Sequence, residues 1–141
     1  MLSHHEKIRV EWGDCDPAKI VFYPRYFAWV DAAGHHMLEN AGLHHDILVE
    51  TYGVRGLVLG HVEMDFKSTA KFGDILDIKT TVSRIGGASF NISHAISRDQ
   101  QPVLIGHETR IWAVEDAKSA AGISSTQIPP EVRKILTNSS D

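Results

Sequence analysis

The sequence predicts an α+β fold in which one curved antiparallel sheet of about five strands wraps around a long central helix. Three observations carry that prediction. An apolar stripe at helical spacing follows Pro24, five segments alternate apolar and polar residues, and short turns join the last four of those segments. Short turns imply antiparallel neighbours, and a sheet curled on one helix is the economical way to bury both apolar faces. The chain's 141 residues suit one domain with a real core. Residues 1–141 are therefore read as a single domain, with a tail from about 127 to 141 expected to be peripheral.

Glu6 to Trp12 reads as a half-buried strand, with Ile8, Val10 and Trp12 on one face and Lys7, Arg9 and Glu11 on the other. Gly13 to Val21 breaks the alternation. Pro24 suits the first turn of a helix, since its φ is already helical and its missing N–H would have had no partner. Tyr26, Trp29, Val30, Ala33, Met37 and Leu38 form the stripe, Phe27 widens it, and Asn40 with Gly42 ends it. A short helix is expected within Asp46 to Tyr52. Strands follow over Leu57–Lys67, Ile75–Ser83, Ser89–Ser97 and Val103–Val114, the last expected to be the longest. In the first of these Val58, Val62, Met64 and Phe66 share a face, opposed by His61, Glu63, Asp65 and Lys67. Phe72-Gly73-Asp74, Gly86-Gly87 and Asp99 to Pro102 supply the turns. Asp116 to Thr126 reads as loop, Pro129 to Leu136 as a short helix, and the Asn-Ser-Ser-Asp end as frayed.

A net charge of −4 speaks against a nucleic-acid footprint. No apolar run approaches the roughly 18 residues needed to cross a bilayer, so no membrane partner is expected. The first residues lack a basic run followed by an apolar stretch, which makes the cytoplasm the expected address. The single cysteine, Cys15, excludes an internal disulfide. It sits between two acids, which raise rather than lower a thiol pKa, so it is read as packing and not as a nucleophile.

The densest chemistry lies in Gly13 to Asp31, GDCDPAKIVFYPRYFAWVD. It offers Asp14 and Asp16, a turn at Pro17, and the start of the helix. Taken alone, Asp16-Pro17 is an ordinary turn opener. The order of Asp16, Pro17-Ala18, Ile20-Val21, Phe22-Tyr23 and then Asp31 two turns into the helix resembles the hot-dog fold acyl-CoA thioesterases. The resemblance is to the branch containing 4-hydroxybenzoyl-CoA thioesterase. Val62 to Phe66 followed by Phe72 to Leu76 extends it as architecture over roughly residues 6 to 114.

That resemblance implies an acyl-CoA thioesterase acting on an aryl- or short-chain acyl-CoA, with coenzyme A part of the substrate and no separate cofactor. Asp16 would be the catalytic carboxylate, as nucleophile or general base. The backbone N–H of Tyr23, at the helix start, would polarise the thioester carbonyl. Asp31 would hold the phenolic end of the substrate, reaching it from a partner subunit. Leu57, Val58 and Leu59 would line the acyl or pantetheine channel. His61, which shares a strand face with Glu63, is read from the alternation alone as entering a pocket or, equally, as part of an exposed or interface face. A homo-oligomer is implied, a dimer or a homotetramer built as a dimer of dimers. Two departures stand out. Lys19 occupies a position where the family usually has Gly. The turn Ile85-Gly86-Gly87-Ala88 lacks the basic residues that hold the nucleotide in that branch, leaving Arg84, Arg98, Lys67 or Lys71 as replacements.

Other readings compete. A hot-dog dehydratase or hydratase would need a His beside an acid at the helix, and His35 and Asp31 stand on it, but no His occupies the preceding turn. A non-catalytic acyl-thioester binding module is the third. Asp14, Asp16, Asp31, His35 and Glu39 could be imagined as metal ligands, yet Asp31, His35 and Glu39 equally make a polar helix stripe, and no HExxH or Cys/His cluster is present. No metal is expected, and His4-His5 and His44-His45 are read as surface residues.

Overall fold

The computed structural model describes residues 1–139. Five strands, β1 (Ser3–Arg9), β2 (Val58–Phe66), β3 (Ile75–Ile85), β4 (Ser89–Arg98) and β5 (Gln101–Ile111), form one sheet in the order β1-β3-β4-β5-β2. Every pairing is antiparallel. Helix α1 (Pro24–Asn40) starts and ends where Pro24 and Gly42 predict, Gly42 taking φ 90°. It buries Tyr26, Val30, Ala33, Met37 and Leu38, whereas Trp29 and Phe27 are only half-buried. Helix α2 (His45–Tyr52) follows and closes on Gly53 in the left-handed region.

The last four strands are not a simple run of neighbours. The Lys67–Asp74 connection is short, yet β2 and β3 are separated by β5 and β4. β2 is therefore a free edge, which is why Phe66, expected on the buried face, is 51% exposed. The first strand also differs from expectation. It ends at Arg9, and Trp12 opens a 3-10 turn, Trp12–Asp14, with its ring 73% exposed. The capping exchange between Glu11 and Asp14 turns the chain there before a third apolar residue can join the strand face.

The C-terminal region corrects two more expectations. The segment read as the longest strand breaks at Trp112 into β5 and a short β6 (Ala113–Glu115). Ile123–Ser125 forms β7 on β6, within the stretch read as loop. Helix α3 (Pro130–Thr137) is not peripheral. Ile128, Val132 and Leu136 are almost fully buried, and the Leu2 N–H donates to the Leu136 carbonyl at 2.9 Å. Truncating such a residue to Ala typically costs about 2–5 kcal/mol, so this segment is core. Of the end read as frayed, Ser140 and Asp141 lie outside the described residues.

The core has two parts. One gathers Val10, Val21, Tyr26, Val30, Leu76, Ile78, Ile96 and Leu104 near the start of α1; the other gathers Met37, Leu38, Val82, Phe90, Ile92, Trp112, Val132 and Leu136 near its end. Between them runs a buried polar seam of Thr80, His94 and Glu108. No helix among the described residues is long and apolar enough to cross a membrane.

Candidate active site

Asp16 opens a tight three-residue loop ahead of α1. Cys15 and Val21 bridge antiparallel, the Asp16 N–H donates to the Ile20 carbonyl at 3.0 Å, and the Lys19 N–H donates to the Asp16 carbonyl at 2.8 Å. A loop of this kind ends on a residue in the left-handed region, and Lys19 takes φ 66°. That explains physically why glycine favours this position, since a Cβ is disfavoured there. The Asp16 side chain uses one oxygen as an Asx turn, Oδ1 accepting the Ala18 N–H at 2.8 Å. Among the described residues no donor takes the other oxygen.

The neighbouring acid is spent. Asp14 accepts the Glu11 N–H at 2.8 Å, and the Arg25 Nε lies 3.7 Å from it. The Asp14 carbonyl accepts the Phe22 N–H, which fixes the approach to the helix. Cys15 is half-buried, with its Sγ 3.8 Å from the Glu11 carbonyl oxygen. At the start of α1, Arg25 and Tyr26 donate to the Phe22 and Tyr23 carbonyls, and Pro24 has no N–H. Tyr23, already helical at φ −53° and ψ −33°, is left as the first residue whose N–H no carbonyl among the described residues accepts. A helix N-terminus with a free N–H suits an anionic oxygen.

Asp16 faces a cleft of about 510 Å³ lined by Trp12, Pro17, Lys19, Lys71 and Phe72. Trp12 and Phe72 pack edge to face with centroids 5.7 Å apart, and the Arg9 guanidinium lies 5.1 Å from the Phe72 ring. Tyr23 lines an adjoining cleft of about 180 Å³ with Tyr26, Phe66 and Ser68. Within one chain, then, Asp16 and Tyr23 border neighbouring clefts and not a common cavity. Burial pushes the Tyr26 phenol above its ordinary 10.0, against the pull of Arg98 and a hydrogen bond with the Ala70 backbone.

The remaining site candidates sit elsewhere. Asp31 lies eight residues beyond Tyr23, about 12 Å along the helix. Its Oδ1 accepts Arg110 at 2.8 Å, and the His35 Nε2 is 3.5 Å away. Arg110 also donates to the Leu57 carbonyl at 3.2 Å and to Glu108 at 2.9 Å. Asp31, Leu57 and Arg110 thus border one small crevice with Leu38 and Ile92. Val58 and Leu59 lie on β2 opposite Ile111 and Arg110, Leu59 being 45% exposed. His61 is on the free edge, 3.7 Å from Glu63 and largely solvent-facing. None of these borders the Asp16 cleft.

Sequence reading missed Arg110, the residue that ties Asp31 to the interior, and the seam behind it. Glu108 pairs with the His94 Nε2 at 2.7 Å, and the His94 Nδ1 meets the Thr80 Oγ1 at 2.9 Å. The signal was present: Thr80 alternates with Ile78 and Val82, and His94 with Ile92 and Ile96, so both fall on the core face. Trp12 was assigned to the core and proves to wall the Asp16 cleft. Among the described residues Asp14, Asp16, Asp31, His35 and Glu39 do not gather into one group, although His35 lies 3.5 Å from Asp31.

The fold and this arrangement define a hot-dog protein, and residues 10–136 match the family model described as Thioesterase-like superfamily. The chain belongs to that superfamily, and its class is thioester hydrolase. It is 34% identical over 122 residues to 4-hydroxybenzoyl-CoA thioesterase of Pseudomonas sp. (strain CBS-3), covering 82% of this chain and 86% of that one. The solved structure of 4-hydroxybenzoyl CoA thioesterase from that strain superposes with a TM-score of 0.87 at 30% identity, over 96% of this chain and 99% of that one. An Asp-to-Asn variant of 4-hydroxybenzoyl CoA thioesterase, complexed with 4-hydroxybenzoyl CoA, gives 0.87 at 29% identity, over 97% and 100%. A gentisyl-coenzyme A thioesterase gives 0.79 at 30% identity, over 96% and 100%. A 1,4-dihydroxy-2-naphthoyl-CoA hydrolase of Prochlorococcus marinus subsp. pastoris is 25% identical over 104 residues, covering 71% of this chain and 69% of that one.

Proposed function

We propose that the chain hydrolyses the thioester of a hydroxylated aroyl-CoA, 4-hydroxybenzoyl-CoA being the first candidate. The acyl groups named for its relatives share an aromatic ring bearing hydroxyl groups, which supports the class more than any one member. The observation that carries the chemistry is the Asp16 carboxylate, with one oxygen free and facing a cleft, a single tight loop ahead of a helix N-terminus.

Asp16 either adds to the thioester carbonyl, expelling the coenzyme A thiolate and leaving a mixed anhydride that water opens, or takes the proton of an attacking water. In both cases the carbonyl oxygen becomes anionic, and the Tyr23 N–H, with no acceptor among the described residues, is the donor we assign to it. One such donor is worth roughly 3–4 kcal/mol of barrier. No cofactor enters this reaction, coenzyme A being part of the substrate. Lys19 and Lys71 stand at the cleft as cations for the nucleotide phosphates, and both are exposed. Arg98 is a poorer candidate, since it is bound to Asp74 at 3.0 Å and to the Thr69 carbonyl at 2.7 Å.

Asp31, the acid for the ring hydroxyl, borders a different crevice from Asp16 within one chain. A second copy would bring the two together, and β2, an unpaired edge carrying Leu59 and Phe66 exposed, is the surface on which copies would join. We therefore propose a homo-oligomer with sites shared between protomers; sedimentation of a fully active monomer would rule this out.

The test is thiol release from 4-hydroxybenzoyl-, gentisyl-, 1,4-dihydroxy-2-naphthoyl-, benzoyl- and short-chain acyl-CoAs by the wild type, Asp16→Asn and Asp16→Ala. Hydroxyaroyl substrates should turn over fastest, and both variants should lose turnover. Normal hydrolysis by either variant removes Asp16 from the mechanism. Label entering the Asp16 carboxylate during a single turnover in ¹⁸O-water identifies the anhydride route, with water opening the anhydride at the aspartyl carbonyl.

A further inference from the structure

A second cluster lies about 20 Å from Tyr23 along α1, by the thirteen-residue distance to His36. His4 and Glu6 are two apart on β1 and so share a face, which turns toward α1. There the Glu6 carboxylate lies 3.0 Å from the His36 Nδ1 and 3.8 Å from the His4 Nε2. Ligating atoms of all three residues fall within 4.8 Å of one another. His4, expected on the surface, has a side chain only 15% exposed, and its ring packs edge to face on His36 with centroids 6.1 Å apart.

An ion pair between Glu6 and His36 explains two members of this group but not the third. The His4 Nε2 is buried and has no hydrogen-bond partner among the described residues. Leaving a polar atom in that state is unfavourable. The other ring nitrogen, Nδ1, is 3.1 Å from the Asn40 amide nitrogen, whose place the amide oxygen takes on a 180° rotation of the side-chain amide. With the Asn40 amide oxygen turned to accept from Nδ1–H, the proton is fixed there and Nε2 presents its lone pair to Glu6 and His36. A hydrogen bond to the remote nitrogen of a ligating histidine is the usual support for a metal ligand.

We propose that His4, Glu6 and His36 form a divalent-metal site, and that Zn²⁺ is the ion their donors fit. Two imidazoles and one carboxylate with a water in the fourth position is a known zinc donor set, with bonds of about 2.0–2.2 Å. Tetrahedral ligands at that radius stand about 3.3–3.6 Å apart, and the 3.0 and 3.8 Å separations bracket this range. The ion would clip the edge strand β1 to the last turns of α1, far from the hydrolytic cleft. It would act on stability by binding the folded chain alone, not on the chemistry at Asp16.

The experiment titrates chelator-stripped protein with Zn²⁺ by calorimetry, with Co²⁺ absorption as a readout of coordination and melting temperature with and without metal. Wild type should bind one ion per chain, give a four-coordinate Co²⁺ spectrum and melt higher when loaded. Glu6→Gln and His36→Gln should each weaken binding at least about tenfold and lose the rise in melting temperature, while His5→Gln and His61→Gln should not. The metal-free melting temperature of each variant shows that it is folded. The absence of saturable one-to-one binding by folded wild type overturns the site. So does equal weakening in His5→Gln and His36→Gln, which would mark scattered surface imidazoles.

Discussion

Two polar regions meet α1, and they differ in how their hydrogen-bonding capacity is used. In the Asp16 loop one carboxylate oxygen holds the turn and the other faces a cleft, while the Tyr23 N–H has no acceptor among the described residues. In the seam behind Asp31 the linked groups spend themselves on each other: Thr80 on His94, His94 on Glu108, Glu108 on Arg110, and Arg110 on Asp31. A group with spare capacity beside a void can act on a ligand. A buried group whose capacity is taken holds the packing in one arrangement and is costly to disturb. Asp31 belongs to both regions, paired at the seam's outer end yet 53% exposed.

The largest expected effects set the two regions against each other. Asp16→Asn should lower kcat by about 10²–10⁴-fold while leaving the urea midpoint nearly unchanged, because the amide oxygen can still accept the Ala18 N–H. Glu108→Gln should do the reverse in kind. It weakens one of the three contacts Arg110 makes and a buried pair with His94, and removing one partner of such a pair costs about 3–5 kcal/mol. Urea unfolding of both variants alongside steady-state thiol release checks the contrast. A stable but inactive Glu108→Gln would move the seam into the chemistry.

Asp31→Asn tests the residue common to both. If its free face meets a ring hydroxyl, the variant should lose about tenfold in kcat/KM for 4-hydroxybenzoyl-CoA relative to benzoyl-CoA, which corresponds to about 1.4 kcal/mol. Equal losses on the two substrates would assign Asp31 to structure alone. Arg110→Met should shift the same ratio, since it releases Asp31 from the position in which Arg110 holds it.

The path from sequence to this comparison was uneven for physical reasons. Helix α1 was legible because Pro24, a 3.6-residue apolar stripe and Gly42 all speak locally. The hairpins at Gly86-Gly87 and Asp99-Gln100 were legible for the same reason, the latter with φ 49° and 68°. The placement of β2 at the far edge was not, because a short connection along one end of a sheet looks in sequence like a hairpin. Trp12 misled because apolar alternation continued past the point where the Glu11–Asp14 exchange turns the chain. The turn at Asp16 and the helix start beside Tyr23 were legible from Pro17 and Pro24. Arg110 was not, since its contacts to Asp31 and Leu57 span 79 and 53 residues.

The smallest expected effect bears on why the Asp16 loop carries Lys19. At φ 66° a lysine is strained, and Lys19→Gly should relieve roughly 1 kcal/mol, less what the glycine loses in a more flexible unfolded chain. Lys19→Ala keeps the strained backbone and removes only the cation. If Lys19 serves the nucleotide phosphates, both variants should raise KM for the acyl-CoA by a similar few-fold factor, more at low salt than at high, with kcat held. Only the glycine variant should gain stability. If the side chain instead obstructs Asp16, kcat rises in both variants and the salt dependence of KM is unchanged. A loop that keeps a strained lysine beside its one unspent carboxylate is more readily understood if the charge does work there, and the pair of variants separates that charge from the backbone that presents it.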